Sequence, residues 1–497
     1  MQHLSLVDWV VCFAYLAVVC GLAIGSMRGQ RDNEDYFVGG RRMNWWAVGI
    51  SMFATSFSSI SFLGLPQRGA YRDFSFYLTI LLIPLVITPI LWFVFVPLYV
   101  RLRVSSGYAY LRLRFGVSVQ RVGSLLYCGY ALGWMGAMLY AIALTLKSVM
   151  QLDETQYLIT LIGLGVFATG YTAIGGLRAV VWTDVLQAVT LGAAVVVVLL
   201  LAVAGIDGGW SGLWELGSRH GRWTMFHLDS NLLAAENFTA ANSVYTAVAF
   251  SLFMYLPGYA VAQNMIQRYV CTGGLRAARG VVVLSALINA GLGFLFLLVG
   301  VALFAYYMQA GGPGMPKLES EDQILPYFVS GQAAGIGLVG LMLAGLFAAA
   351  MSTVDSGING VASVVVYDWL GGRDLSLRAS RTLTVALGAL VIAAALAAPL
   401  LGSNVIDIIN TIAGTLLGGL LAVFLLGMFA PRSNSPGVLI GLAAGAASLV
   451  AVIAWTDIPK WWYGAFTVFP TLIAGAVASR WFAPPPPEAL QGTLWRR

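Results

Sequence analysis

The stretch Trp45–Pro66 reads WWAVGISMFATSFSSISFLGLP. It is long enough to cross a bilayer as a helix, which takes about 20 mostly apolar residues. Its middle is not apolar. Thr55-Ser56-Phe57-Ser58-Ser59 places four hydroxyls among five residues, with Ser51 and Ser61 close by. Hydroxyls bond back to the helix backbone and compete with its ladder. The residues leave two readings open: close packing of helices through small side chains, or a helix broken at mid-membrane whose released carbonyls coordinate a cation.

A second unusual stretch lies in the long apolar segment Gly335–Leu370. There Ala348-Ala349-Ala350-Met351 is followed by Ser352-Thr353-Val354-Asp355-Ser356. Ser352, Asp355, Ser356 and Asn359 are spaced to share one helix face. A carboxylate in such a span is costly and faces a partner or a pathway. Hydroxyl, carbonyl and carboxylate oxygens on one stripe suit a hard cation such as Na⁺. Asp184, near the start of the sixth span, is open to two readings: a carboxylate favoured by a helix N-terminus, or part of a site. Asp407, Asn410, Thr411 and Thr415 form another polar stripe, for packing or gating.

The seventh span contains Leu256-Pro257-Gly258-Tyr259, followed by Gln263. A Pro-Gly pair predicts a kink or break. This span opens a second set of five, as Trp45–Pro66 opens the first. Corresponding breaks in two halves mark the binding site of inverted-repeat carriers.

The rest of the chain fits a membrane solvent. Of 497 residues, 59% are hydrophobic and 10% charged, against about 25% charged in soluble domains. Apolar runs start near residues 7, 45, 74, 119, 157, 179, 243, 281, 335, 382, 405, 437 and 462, which predicts thirteen spans in one all-α transmembrane unit over 1–497. The first run is read as a retained helix, since no basic n-region precedes it. Thirteen crossings with the N-terminus outside put twenty Lys/Arg residues inside and seven outside, as the positive-inside rule requires. The net charge of +6 is spread over short loops, so no nucleic-acid partner is expected. Cys12, Cys20, Cys128 and Cys271 read as packing residues, and the three scattered histidines indicate no metal site. Trp210, Trp214 and Trp223 in the Asp207–Phe238 loop anchor the surface or form a lid. A channel would need a ring of repeated polar groups, and an enzyme a nucleophile, metal or cofactor constellation. Neither pattern is seen.

The chain resembles the sodium:solute symporters over nearly its whole length. The resemblance rests on Asp35-Tyr36-Phe37-Val38-Gly39-Gly40-Arg41-Arg42, the run from Gly175-Gly176-Leu177-Arg178 to Trp182-Thr183-Asp184, Gln267-Arg268-Tyr269, and Met351-Ser352-Thr353, in that order. It implies a LeuT-type core of two inverted five-helix repeats, over 45–205 and 240–430. An extra helix and loop (1–44) precede the core, and two helices and a tail (431–497) follow it. It implies a sodium ion held by the carbonyls of Ala54, Phe57 and Ala349 and the hydroxyls of Ser352 and Thr353. A second cation is implied near Asp184, Asp355 and Ser356, although Asp355 stands where relatives often have serine. In the sialic acid branch an arginine and a glutamine meet the solute. Here those places fall at Trp134 and Ile80, and a buried carboxylate without a cationic partner is expensive. A neutral polyhydroxylated solute is therefore favoured over a strongly acidic one, facing Ser56, Ser58, Ser61, Phe76, Trp134, Tyr259 and Gln263. The function expected is sodium-coupled uptake of a small polar organic solute, of sugar, polyol, sialic acid or monocarboxylate class, by a monomer in the plasma or inner membrane. A sodium-dependent solute sensor and an anion carrier are the alternatives.

Overall fold

The computed structural model describes residues 5–494 except 242, 319, 333–336, 373, 374 and 402–404, and leaves the side chains of 149 and 401–415 undescribed. The stripe at Asp407, Asn410, Thr411 and Thr415 thus lies outside the described side chains. Among the described residues the regular structure is helical, apart from two isolated β-bridges. The order along the chain begins with α1 (Leu6–Ser26), α2 (Trp45–Ser56), α3 (Ser59–Tyr71), α4 (Phe76–Leu102) and α5 (Val117–Met150). There follow α6 (Glu154–Ala204), α7 (Val244–Val261), α8 (Gln263–Val270), α9 (Leu275–Met308) and α10 (Leu338–Trp369). Last come α11 (Leu377–Leu400), α12 (Val405–Phe429), α13 (Ser435–Trp455) and α14 (Lys460–Trp481).

Among the described residues ten helices are long and apolar enough to cross a membrane, or eleven with the bent pair α2 and α3, against the thirteen expected. The counts differ at two places. The 51-residue α6 counts once, yet it is interrupted at Gly176, whose φ of 58° and ψ of −159° are not helical. At 1.5 Å per residue it would run about 77 Å, over twice the roughly 30 Å of hydrocarbon core. The described apolar part of α12 is only Leu416–Phe429.

Helix α10 is the axis of the bundle. In its most apolar window 83% of residues are buried, whereas the other spans reach 28–50%. The sequence explains this: the Ala, Gly and Ser residues of Ala344–Gly360 let neighbours approach on every side. Asp8 joins α1 to it. This carboxylate completes a capping box with Ser5 and also accepts the Gly340 N–H at 2.9 Å. Helices α3 and α9 meet at Gly69 and Gly300, where a Cβ on Gly69 would stand 2.2 Å from the Leu297 carbonyl.

The second break is displaced from the Pro-Gly pair. Pro257 sits at the start of a helical turn after a π-helical stretch at Ser251–Tyr255. The helix parts at Ala262, with φ −76° and ψ 130°. A π turn already accommodates the missing proline N–H, so the helix ends further on. In the 207–238 loop, Trp214 and Trp223 stack at 5.2 Å, and Trp223 also meets Phe74 at 5.7 Å. The loop thus packs on the start of α4, while Trp210 and Trp214 stay exposed.

Candidate functional site

The hydroxyl-rich segment breaks as a carrier site requires. Helices α2 and α3 meet at a 68° bend, with Phe57 and Ser58 extended between them. Ser56 Oγ donates to the Phe53 carbonyl at 2.8 Å, the back-bonding that loosens a helix end. The Ala54 carbonyl would pair with Ser58 in an unbroken helix. Here it accepts from Ser352 Oγ on α10 at 2.9 Å. Ser352 Oγ also lies 3.3 Å from the Ala349 carbonyl, and Thr353 Oγ1 3.4 Å from the same oxygen. Phe57 is the residue at which α2 ends. Oxygens around a calcium-sized cation sit roughly 2.3–2.6 Å from it, so adjacent ligands stand about 3.3–3.7 Å apart. The oxygens of Ala54, Ala349, Ser352 and Thr353 are already nearly so spaced.

One turn along α10, the two carboxylates meet a cation from the protein itself. Arg268 of α8 is completely buried and pairs with Asp184 at 2.9 Å. It also donates to Ser51 Oγ at 3.0 Å, Thr55 Oγ1 at 2.5 Å and Ser356 Oγ at 2.7 Å. Ser356 Oγ in turn donates to Asp355 at 3.2 Å, and Tyr171 donates to Asp355 at 2.6 Å. The structure therefore brings Asp184, Asp355 and Ser356 into one network, as expected, but with a guanidinium at its centre. Asp184 does not owe its place to a helix N-terminus; it lies within α6, and its partner is Arg268. The second oxygen, Asp184 Oδ1, is buried and has no hydrogen-bond partner among the described residues. When both are ionised, two carboxylates against one guanidinium leave one net negative charge in a buried site.

Beside the first break lies a cavity of about 260 Å³. Ser56, Ser58, Ser61, Phe76, Trp134 and Tyr259 all line it. Gln263 does not. The turn at Ala262 carries its amide away, where it accepts the Gly107 N–H at 2.8 Å and donates to the Ser105 carbonyl at 2.9 Å. Trp134 and Ile80 both reach the cavity, so an indole and a sec-butyl group line it at those two places. Thr353 and Phe57 line it too, so the candidate cation ligands and the cavity share residues. The absence of a cationic partner, argued from Trp134 and Ile80, is corrected. Arg68 lines the cavity, because α3 carries on to Tyr71 and keeps the 66–71 segment in the bundle.

A helix broken at mid-bundle, oxygen ligands converging on the break and a solute-sized cavity alongside define a secondary transporter of the LeuT-fold type. The sequence model of the sodium:solute symporter family matches residues 36–445, and the chain belongs to that family. It is 28% identical over 495 residues to a sodium/sialic acid symporter from Aliivibrio fischeri, covering 97% of this chain and 94% of that one. It is 34% identical to the human sodium/iodide cotransporter, over 86% of this chain and 66% of that one. The human sodium-coupled monocarboxylate transporter 1 is 31% identical, over 91% and 73%. Among solved structures, a substrate-bound, outward-open Na⁺-coupled sialic acid symporter superimposes with a TM-score of 0.84 at 26% identity, covering 97% of this chain and 99% of that one. The protein is thus a multi-pass membrane transporter that takes up solute coupled to sodium.

Proposed function

We propose that the chain moves a small polar organic solute by alternating access, with the cavity beside Ser56 and Tyr259 as its binding site. The observation that carries this reading is the hydrogen bond from Ser352 to the Ala54 carbonyl, across the break that also borders the cavity. A sodium ion held by Ala54, Phe57, Ala349, Ser352 and Thr353 would tie α10 to the broken helix. Solute contacts at Ser56 and Ser58 would then meet a fixed backbone, which is how ion binding raises solute affinity and the reverse. Sialic acid, monocarboxylates, sugars and polyols are the candidate classes, since relatives named for the first two share most of the chain's length. The test is a solute panel screened for sodium-dependent thermal stabilisation of the purified protein. A ligand that stabilises only in sodium is expected; ligands that stabilise equally in potassium would contradict the coupling.

A second cation completes the network around Arg268. The net negative charge of the Asp184–Arg268–Asp355 group and the unpartnered Asp184 Oδ1 support one further sodium ion there. Asp355→Asn removes that charge and is expected to lower the sodium Hill coefficient of uptake toward one, leaving its pH dependence unchanged. Loss of pH dependence with an unaltered Hill coefficient would assign the position to a proton instead.

Two five-helix repeats over 45–205 and 240–430 account for the paired breaks at Phe57–Ser58 and Ala262. Thirteen crossings follow if α6 crosses twice and α12 once. The chain then works as a monomer in the plasma or inner membrane, N-terminus outside. A tag at the N-terminus should be accessible from outside and one at the C-terminus only from inside. Both tags on one side would remove this topology.

A further inference from the structure

We infer that the transported solute is a small carboxylate, and that Arg68 is the residue that holds its charge. The inference rests on the cavity being the solute site. Among the described residues Arg68 is the one charged side chain lining it, with no Asp, Glu or Lys beside it. Its guanidinium lies over the Phe76 ring at 4.3 Å. It makes no hydrogen bond or ion pair among the described residues. The neighbouring acids are engaged elsewhere. Glu321 accepts from Gln67 at 2.7 Å and pairs with Arg72 at 3.5 Å, and Asp73 pairs with His227 at 2.6 Å.

A guanidinium resting on an aromatic ring spends its face there and keeps its edge donors for a planar anion. A carboxylate is the partner that matches this fork with two parallel bonds. A described lining with one positive charge and no negative one also disfavours cations. The remaining lining fixes the rest of the solute. Ser56, Ser58, Ser61 and Asn289 offer hydrogen bonds, while Trp134 and Tyr259 offer flat apolar surface. The cavity of about 260 Å³ falls just below the roughly 300–1,000 Å³ of drug-sized ligand sites. A short hydroxy- or aryl-monocarboxylate meets these terms.

The test is tryptophan fluorescence of the purified full-length protein in sodium, since Trp134 and Trp461 line the cavity. Lactate and nicotinate are titrated beside the uncharged lactamide and nicotinamide. Saturable quenching by either acid, absent with its amide, is expected. Arg68→Gln should weaken it about tenfold to a hundredfold, the effect of losing hydrogen bonds to a charged group, and Arg68→Lys should restore part. Sodium-dependent thermal stabilisation unchanged in both variants shows that they fold and keep their ion site. Equal quenching by acid and amide overturns the inference, as does acid binding that Arg68→Gln leaves alone. Sodium-dependent binding of glucose or glycerol with no response to either acid overturns it too, while leaving sodium-coupled transport intact.

Discussion

Replacing Arg268 by leucine is expected to destabilise the protein by about 3–5 kcal/mol, because it strands Asp184 as a buried, uncompensated charge. Arg268 has no exposed surface and donates to Asp184, Ser51, Thr55 and Ser356, which come from α6, α2 and α10. One substitution therefore removes the group that joins the first break, the second break and the central helix. The measurement is the thermal unfolding midpoint in detergent at fixed sodium. Arg268→Lys, which keeps the charge but not the fork, should lie between. The double change Arg268→Leu with Asp184→Leu should recover part of the loss, since no charge is then left unpaired. A single leucine variant that melts like the parent would show that the pair holds nothing together.

The paired substitution Ser352→Ala with Thr353→Ala is expected to raise the sodium concentration for half-maximal uptake by a factor of ten or more. Each hydroxyl lost from a charged partner costs about 1–3 kcal/mol. The carbonyls of Ala54 and Ala349, which these hydroxyls meet at 2.9 and 3.4 Å, remain in place, so the fold should survive. The singles should each show part of the shift. Sodium activation that is unchanged in the double variant would remove the site from this pair of helices.

The parts of this architecture that were legible in the sequence are those where polar residues interrupt an apolar run. Four hydroxyls in Thr55–Ser59 marked the first break, and the spacing of Ser352, Asp355 and Ser356 put them on one face of α10. The role of Arg268 was not legible, because charge near the end of an apolar run looks like a loop. The signal was there: Asp184 and Asp355 needed a partner, and an arginine stood just past the second break. Arg68 was hidden for the same reason, since Pro66 and the polar Gln67-Arg68 suggest a helix end, yet α3 runs through Pro66 to Tyr71. Gln263 is expected at the solute as a hydrogen-bonding group but lies outside the cavity lining. The direction of its side chain depends on the turn at Ala262, which no local pattern announces. The interruption of α6 was legible, since separate runs starting near residues 157 and 179 bracket the non-helical Gly176.

Uptake by the purified protein in proteoliposomes tests sodium coupling most directly. A panel of labelled carboxylates, sugars and polyols is offered under an inward sodium gradient and again with choline replacing sodium on both sides. At least one solute should accumulate above its outside concentration in sodium and fall to background in choline. Uptake of the same solute to the same level in choline would contradict the sodium-coupled carrier.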